Sequence, residues 1–187
     1  MDERTLIIGC QNGHKENFAL LIRNYEQALY KYCYYLTGNE QSASDLFQDT
    51  WLKVMMKIRL YKDEYKFKNW LLSIASNTYR DFYRKKKRQQ RVVKDYSDSD
   101  RKSSEMNQVH TGDNPVEDSV LLDEKKEEVH RALQTIKEHY RMVIVLYYFE
   151  ELSINEISEA LKIPKGTVKS RLNQAKKLMR KTMEVDT

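Results

Sequence analysis

The sequence predicts an all-α protein of two small helical domains joined by a flexible acidic linker, and three observations carry that expectation. Only 5 of 187 residues are Gly and 2 are Pro, so the tight turns that hairpins and sandwiches need are scarce. Apolar residues recur at spacings of three and four, which is the signature of one helical face turned inward. Residues 95–119, DYSDSDRKSSEMNQVHTGDNPVEDS, hold almost no large apolar side chain and cannot bury enough surface to fold alone. The expected division is therefore 1–94, a linker over 95–119, and 120–187.

Taken in chain order, a weak helix is expected near Thr5–Gln11. Asn17–Thr37 follows, with Phe18, Leu21, Ile22, Tyr25, Leu29, Tyr32 and Leu36 forming an apolar stripe that Gly38-Asn39 ends. Ser42–Ile58 turns Ala43, Leu46, Phe47, Thr50, Trp51, Val54 and Ile58 inward, leaving Asp45, Gln48, Asp49 and Lys53 outside. Phe67–Lys87 is the third strong helix, with Trp70, Leu71, Ile74, Ala75, Thr78 and Phe82 inward. Beyond the linker, Val120–Ile136 and His139–Phe149 read as helices. Ser153 and Glu156 then form a capping box ahead of Ile154, Ile157 and Leu161. Lys162-Ile163-Pro164-Lys165-Gly166 breaks that helix, and Val168, Leu172, Ala175 and Leu178 restart the period.

Charge is segregated. Residues 1–94 carry 18 Lys/Arg against 10 Asp/Glu, residues 95–128 carry 4 against 11, and residues 129–187 carry 11 against 7. Two basic segments flanking an acidic one suit a chain whose ends meet polyanions while its middle does not. No apolar run approaches the roughly 20 residues of a membrane span, and the N-terminus MDERTLIIGC lacks signal-peptide architecture, so the expected location is the cytoplasm. Cys10 and Cys33 stand alone, without CxxC or a nearby His pair, so reduced thiols and no metal or cofactor are expected. Nor do the four scattered histidines, or any Gly-rich phosphate loop, supply a catalytic constellation.

Two stretches point to nucleic acid. From Lys162 to Lys181 there are eight Lys/Arg and no carboxylate, on a second helix whose polar face offers Thr167, Lys169, Ser170, Arg171, Asn173 and Gln174. Amides and hydroxyls flanked by fixed positive charge match the donor and acceptor code and the phosphate walls of a major groove. Tyr61–Arg91 combines seven aromatics with the run Arg84-Lys85-Lys86-Lys87-Arg88, a pairing that suits unpaired bases on a cationic track. Trp70 and Phe82 lie on the apolar stripe and read as core, whereas Tyr61 and Tyr65 lie in a loop and are the better stacking candidates. Asn77 sits between Ser73 and Asp81 on a polar stripe, where an amide could bond an extruded base. On the preceding helix, the outward face of Asp45, Gln48 and Asp49 reads as a partner-docking surface.

Together these segments resemble the extracytoplasmic-function sigma factors of bacterial RNA polymerase, within the sigma-70 family. Gly13–Phe18 is similar to that family's GDxxAF opening, and Ser44-Asp45-Leu46-Phe47-Gln48-Asp49-Thr50-Trp51 to its EDLxQETF segment. Phe67-Lys68-Asn69-Trp70-Leu71 with Ile74-Ala75-Ser76-Asn77 resembles FxxWLxxIAxN, and Pro164–Leu172 resembles the PxGTVKSRL recognition helix. The resemblance implies a sigma region 2-like bundle and a sigma region 4-like helix-turn-helix. It further implies that Asp45, Gln48 and Asp49 dock on the clamp coiled-coil of the largest polymerase subunit. On the same grounds Tyr61, Tyr65, Asn77, Lys85, Lys86, Lys87 and Arg88 would engage the −10 element, and Thr167, Lys169, Ser170, Arg171, Asn173 and Gln174 the −35 element. The partners implied are core polymerase (clamp and the flap of the second-largest subunit), promoter DNA, and an anti-sigma protein that is often membrane-bound.

Departures from the family pattern mark this chain: His14 for an acidic residue, Ser44 for Glu, Ser158 for a small Ala, Lys162 where glycine often takes the left-handed turn, and Gln174 for a frequent arginine. Two rival expectations remain. A stand-alone dimeric helix-turn-helix regulator would need a dimerisation helix, and no sustained heptad is present. A metal-dependent nucleic-acid enzyme built on Asp45 and Asp49 would lack a third ligand and a phosphate-holding loop.

Overall fold

A computed structural model describes residues 2–64, 66–97 and 120–185. Eight α-helices run along it: α1 Glu3–Gln11, α2 Lys15–Thr37, α3 Glu40–Lys57, α4 Phe67–Ser97, α5 Val120–Thr135, α6 Glu138–Tyr148, α7 Ile154–Leu161 and α8 Lys165–Val185, with a 3-10 turn at Ile58–Leu60 after α3. Each start has a local cause where a side chain is placed to accept. The Asp2 carboxylate takes the Thr5 amide, the Asn39 side chain takes that of Ser42, and Ser153 takes that of Glu156 while Glu156 reaches back to the Ser153 amide at 2.9 Å. α2 ends at Gly38, which adopts φ 82°. A side chain there would also strike Gln134, so glycine answers both a left-handed backbone and a close approach.

α4 runs ten residues past the expected end at Lys87 and takes in the first three residues assigned to the linker. Lys, Arg and Gln are good helix formers, and no Gly or Pro interrupts residues 88–97. The remainder of the linker lies outside the described residues.

In the first half α1 to α4 close over Leu21, Leu29, Tyr32, Leu46, Phe67 and Leu71, all essentially buried. Tyr32 is wholly buried with its hydroxyl 2.7 Å from the Ser76 hydroxyl, which satisfies both. Cys10 and Cys33 are buried free thiols, and burial pushes both upward, away from the reactive thiolate. Leu133, Met142, Val145, Leu146, Ile157, Val168 and Ala175 form the corresponding centre of the second half.

The two halves are packed together, and the join centres on the end of α2. Three carbonyls there receive side chains from the second half: Tyr35 from Gln134 Nε2 at 3.0 Å, Leu36 from Arg141 Nη1 at 2.6 Å, and Gly38 from His130 Nε2 at 3.4 Å. Arg141 is buried, and its guanidinium also donates to the carbonyls of Gln134 at 3.0 Å and Ile136 at 3.1 Å, to the Gln134 side chain, and to the Tyr79 hydroxyl at 3.4 Å. Ring contacts flank this cluster, with Tyr34 stacked on His130 at 4.4 Å and Tyr35 against Phe149 at 4.2 Å. Burial pulls Arg141 downward, yet its surroundings of carbonyl dipoles at two helix C-termini favour a cation.

In the helix-turn-helix, Lys162 takes φ 53°, the left-handed conformation that glycine would adopt without strain. Ser158 has a specific task there: its hydroxyl donates to the Ile163 carbonyl at 2.6 Å and ties the turn to α7. Two outcomes are expected in urea unfolding. Arg141→Met lowers stability by about 3 kcal/mol or more, since several buried carbonyls lose their donor, and Arg141→Lys recovers less than half of it because an ammonium cannot span both helix ends. Lys162→Gly raises stability by about 1 kcal/mol or somewhat less.

Candidate nucleic-acid interface

The recognition helix α8 is seated by Val168, Leu172, Ala175 and Met179, which are buried against α5, α6 and α7. Seating that face turns Lys169, Ser170, Asn173 and Gln174 outward, and all four are exposed. Ser170 Oγ donates to the Thr167 carbonyl at 3.1 Å, leaving the oxygen's acceptor capacity to an incoming group. Arg171 differs from its neighbours. It is half-buried and lines a cleft beside Arg80 and Arg84 of α4 rather than standing on the outer face.

α4 presents its polar side to the second half. Asn69 Nδ2 donates to Glu156 Oε1 at 2.8 Å, Lys68 pairs with buried Glu150 at 3.0 Å, and Arg80 Nη2 reaches the Leu161 carbonyl at 3.3 Å. Burial holds the Glu150 carboxyl above its ordinary range despite the Lys68 ammonium, while the Ser153 amide and the Asn69 amide hold Glu156 below it. Asn77 is half-buried on α4 between the Asn69 and Arg80 levels, and Arg88 is exposed near the far end.

One stacking candidate changes status. Tyr61 is 7% exposed, because the 3-10 turn folds it back against Phe67 and Trp70, with ring centroids 5.4 and 5.2 Å away. A loop position does not make it a loop aromatic, and it belongs to the core. Trp70, read as core, is only partly buried, as is Phe82. Tyr65 and the side chains of Lys85, Lys86 and Lys87 lie outside the described residues.

On α3, Asp45, Gln48 and Asp49 are exposed on one face as expected, while Trp51 is buried in the core. That face continues into a feature sequence reasoning missed. Leu52, Met55 and Met56 follow at helical spacing, and Leu60 extends the line through the 3-10 turn; they are 58%, 53%, 81% and 75% exposed. Exposed apolar side chains grouped in this way, beside Asp45 and Asp49, are uncommon on a surface that meets only water. A pattern count could have found it, since four apolar residues fall on a side already assigned to solvent.

Comparison with known proteins agrees with this geometry. Residues 21–89 match Sigma-70 region 2, and residues 126–179 match Sigma-70, region 4. The ECF RNA polymerase sigma factor SigW of Bacillus subtilis is 32% identical over 173 residues, covering 92% of each chain. SigX of the same organism is 28% identical over 171 residues, covering 91% of this chain and 86% of its own. Two solved structures share the fold. One is CnrH in complex with the cytosolic domain of CnrY, with TM-score 0.68, 19% identity and 99% coverage of both chains. The other is the sigma factor RpoE with the anti-sigma factor NepR from Bartonella quintana, with TM-score 0.66, 22% identity, and 92% of this chain against 99% of that one. With both regions matched in order and a relative of this identity aligned along nearly its whole length, the chain belongs to the extracytoplasmic-function sigma factors of RNA polymerase, and it is an alternative sigma factor that directs transcription initiation.

Proposed function

We propose that this sigma factor reads promoters with two separate faces and meets the polymerase with a third. The observation that carries the reading is the exposed polar row of α8: Lys169, Ser170, Asn173 and Gln174 stand together on the outer face of a seated helix, where a −35 major groove can receive them. Thr167 lies at the N-terminal end of the same row, and Arg171 joins it by swinging out of its cleft. For the −10 element the supporting residues are Asn77, the cationic end of α4 from Lys85 to Arg88, and Trp70, whose partial exposure gives an unpaired base more to stack on than buried Tyr61 does. Tyr65 remains a candidate on sequence grounds.

Because α7 lies across the polar side of α4, engaging both promoter elements needs the halves to part. The polymerase clamp is assigned to Asp45, Gln48 and Asp49 together with Leu52, Met55 and Met56, an acidic rim on an apolar strip. The flap of the second-largest subunit is assigned to a groove of about 650 Å³ lined by Val129, Leu133, Ile144, Tyr148, Met179 and Met183. The chain works in the cytoplasm as a specificity subunit with no catalysis of its own, and an anti-sigma protein is its expected antagonist. Both halves of the family pattern are used by this reading, and no observation favours the operator-binding dimer.

Run-off transcription with core polymerase on promoter DNA tests the whole, and absence of any core-dependent initiation would reject it. The Asp45→Ala/Asp49→Ala double variant and Met56→Glu are each expected to weaken capture by core polymerase about tenfold with the melting temperature unchanged, since all three side chains are exposed. Capture at wild-type strength would move the docking face elsewhere. Glutamine pairs bidentately with adenine, so Gln174→Ala is expected to relax an adenine preference at one −35 position, a change of roughly 1–3 kcal/mol in discrimination. Binding to a randomised −35 library reads it, and an unaltered preference at every position refutes the assignment.

A further inference from the structure

We infer that the cleft between the two halves, where Arg80 and Arg84 of α4 meet Arg171 of α8, is a binding site for an oxyanion of the phosphate class. The cleft has a volume of about 280 Å³ and is walled by α4, α6 and the helix-turn-helix, with His139 and Tyr83 beside the three arginines. A water occupies about 30 Å³ of liquid, so the space takes one tetrahedral anion with several waters and excludes a duplex.

The charge balance there is one-sided. Among the described lining residues Glu138 is the single carboxylate, and it sits 3.9 Å from His139 Nδ1 at the edge of the site. Arg80 is half-buried; one of its terminal nitrogens is committed to the Leu161 carbonyl, and its Nε is buried with no hydrogen-bond partner among the described residues. Burial pulls Arg80 downward, and Arg84 and Arg171 add to the pull while Tyr32 and Asp81 oppose it. Like charges brought together by packing oppose that packing, and an oxyanion removes the opposition. Guanidinium forks match its oxygens two at a time, which is why arginine recurs wherever planar recognition of phosphate is needed. Arg80 and Arg84 come from the first half and Arg171 from the second, so the anion fastens one half to the other.

The ligand and promoter DNA then exclude each other at Arg171, because one guanidinium cannot face the cleft and a DNA phosphate at once. The site itself does not depend on the promoter reading, and run-off transcription by the unaltered chain tests that reading separately.

The experiment is thermal unfolding of the full chain with inorganic phosphate replacing chloride at fixed ionic strength. Saturable stabilisation is expected, reaching roughly 3–6 °C at ten times the dissociation constant. Arg84→Gln and Arg171→Gln should each weaken the apparent affinity at least fivefold, whereas Arg131→Gln, an exposed charge on α5, should not. Two results overturn the inference. One is no shift. The other is a rise that climbs without saturating and is equal in all four proteins, which is the general exclusion effect of phosphate on any folded chain.

Discussion

The C-terminal end of α2 is the point on which the arrangement turns. A helix leaves its last carbonyls without partners and gathers negative potential there. In an isolated first half, water would serve them. Here Gln134, Arg141 and His130 of the second half donate to the carbonyls of Tyr35, Leu36 and Gly38, and Gly38 keeps the approach open by having no side chain. Arg141 does most, since its guanidinium also holds the end of α5 and so fixes the angle between α5 and α6 within its own half. A buried cation without an ion pair among the described residues is normally costly. It is tolerated because main-chain dipoles of two helices converge on it.

Away from this centre the join adds polar bonds to the apolar packing. Asn69 to Glu156, Lys68 to Glu150 and Arg80 to the Leu161 carbonyl each involve a charged group and contribute roughly 1.5–3 kcal/mol apiece. An interface so built holds a defined relative position, and the buried apolar residues of the two halves run together in one cluster beneath it. It also lays α7 over the polar side of α4 and draws Arg171 inward.

Much of this was legible in the sequence. Periodicity located all eight helices, and the Ser153 and Glu156 spacing announced a capping box that forms with both bonds. The family resemblance put Lys162 where glycine often takes a left-handed turn, and the backbone takes it. Failures came where tertiary context decides. Tyr61 follows a helix and precedes a helix, yet a 3-10 turn carries it inward, which no local pattern announces. The expected end of α4 at Lys87 fell short by ten residues, because charge alone does not end a helix made largely of Lys, Arg and Gln. Arg141 carries a signal in the sequence, one charge set directly before the run Met142–Leu146, where only a well-bonded guanidinium survives burial. Arg171 and its neighbours share one helix, and which of them faces inward depends on α4, far away in sequence.

The strip of Leu52, Met55, Met56 and Leu60 has a bearing on supply. An apolar face of this kind is at ease only when covered, and the free chain leaves it in water. Left uncovered, such a strip is a standing liability for self-association. These exposed side chains thus limit how much unoccupied protein a solution can hold.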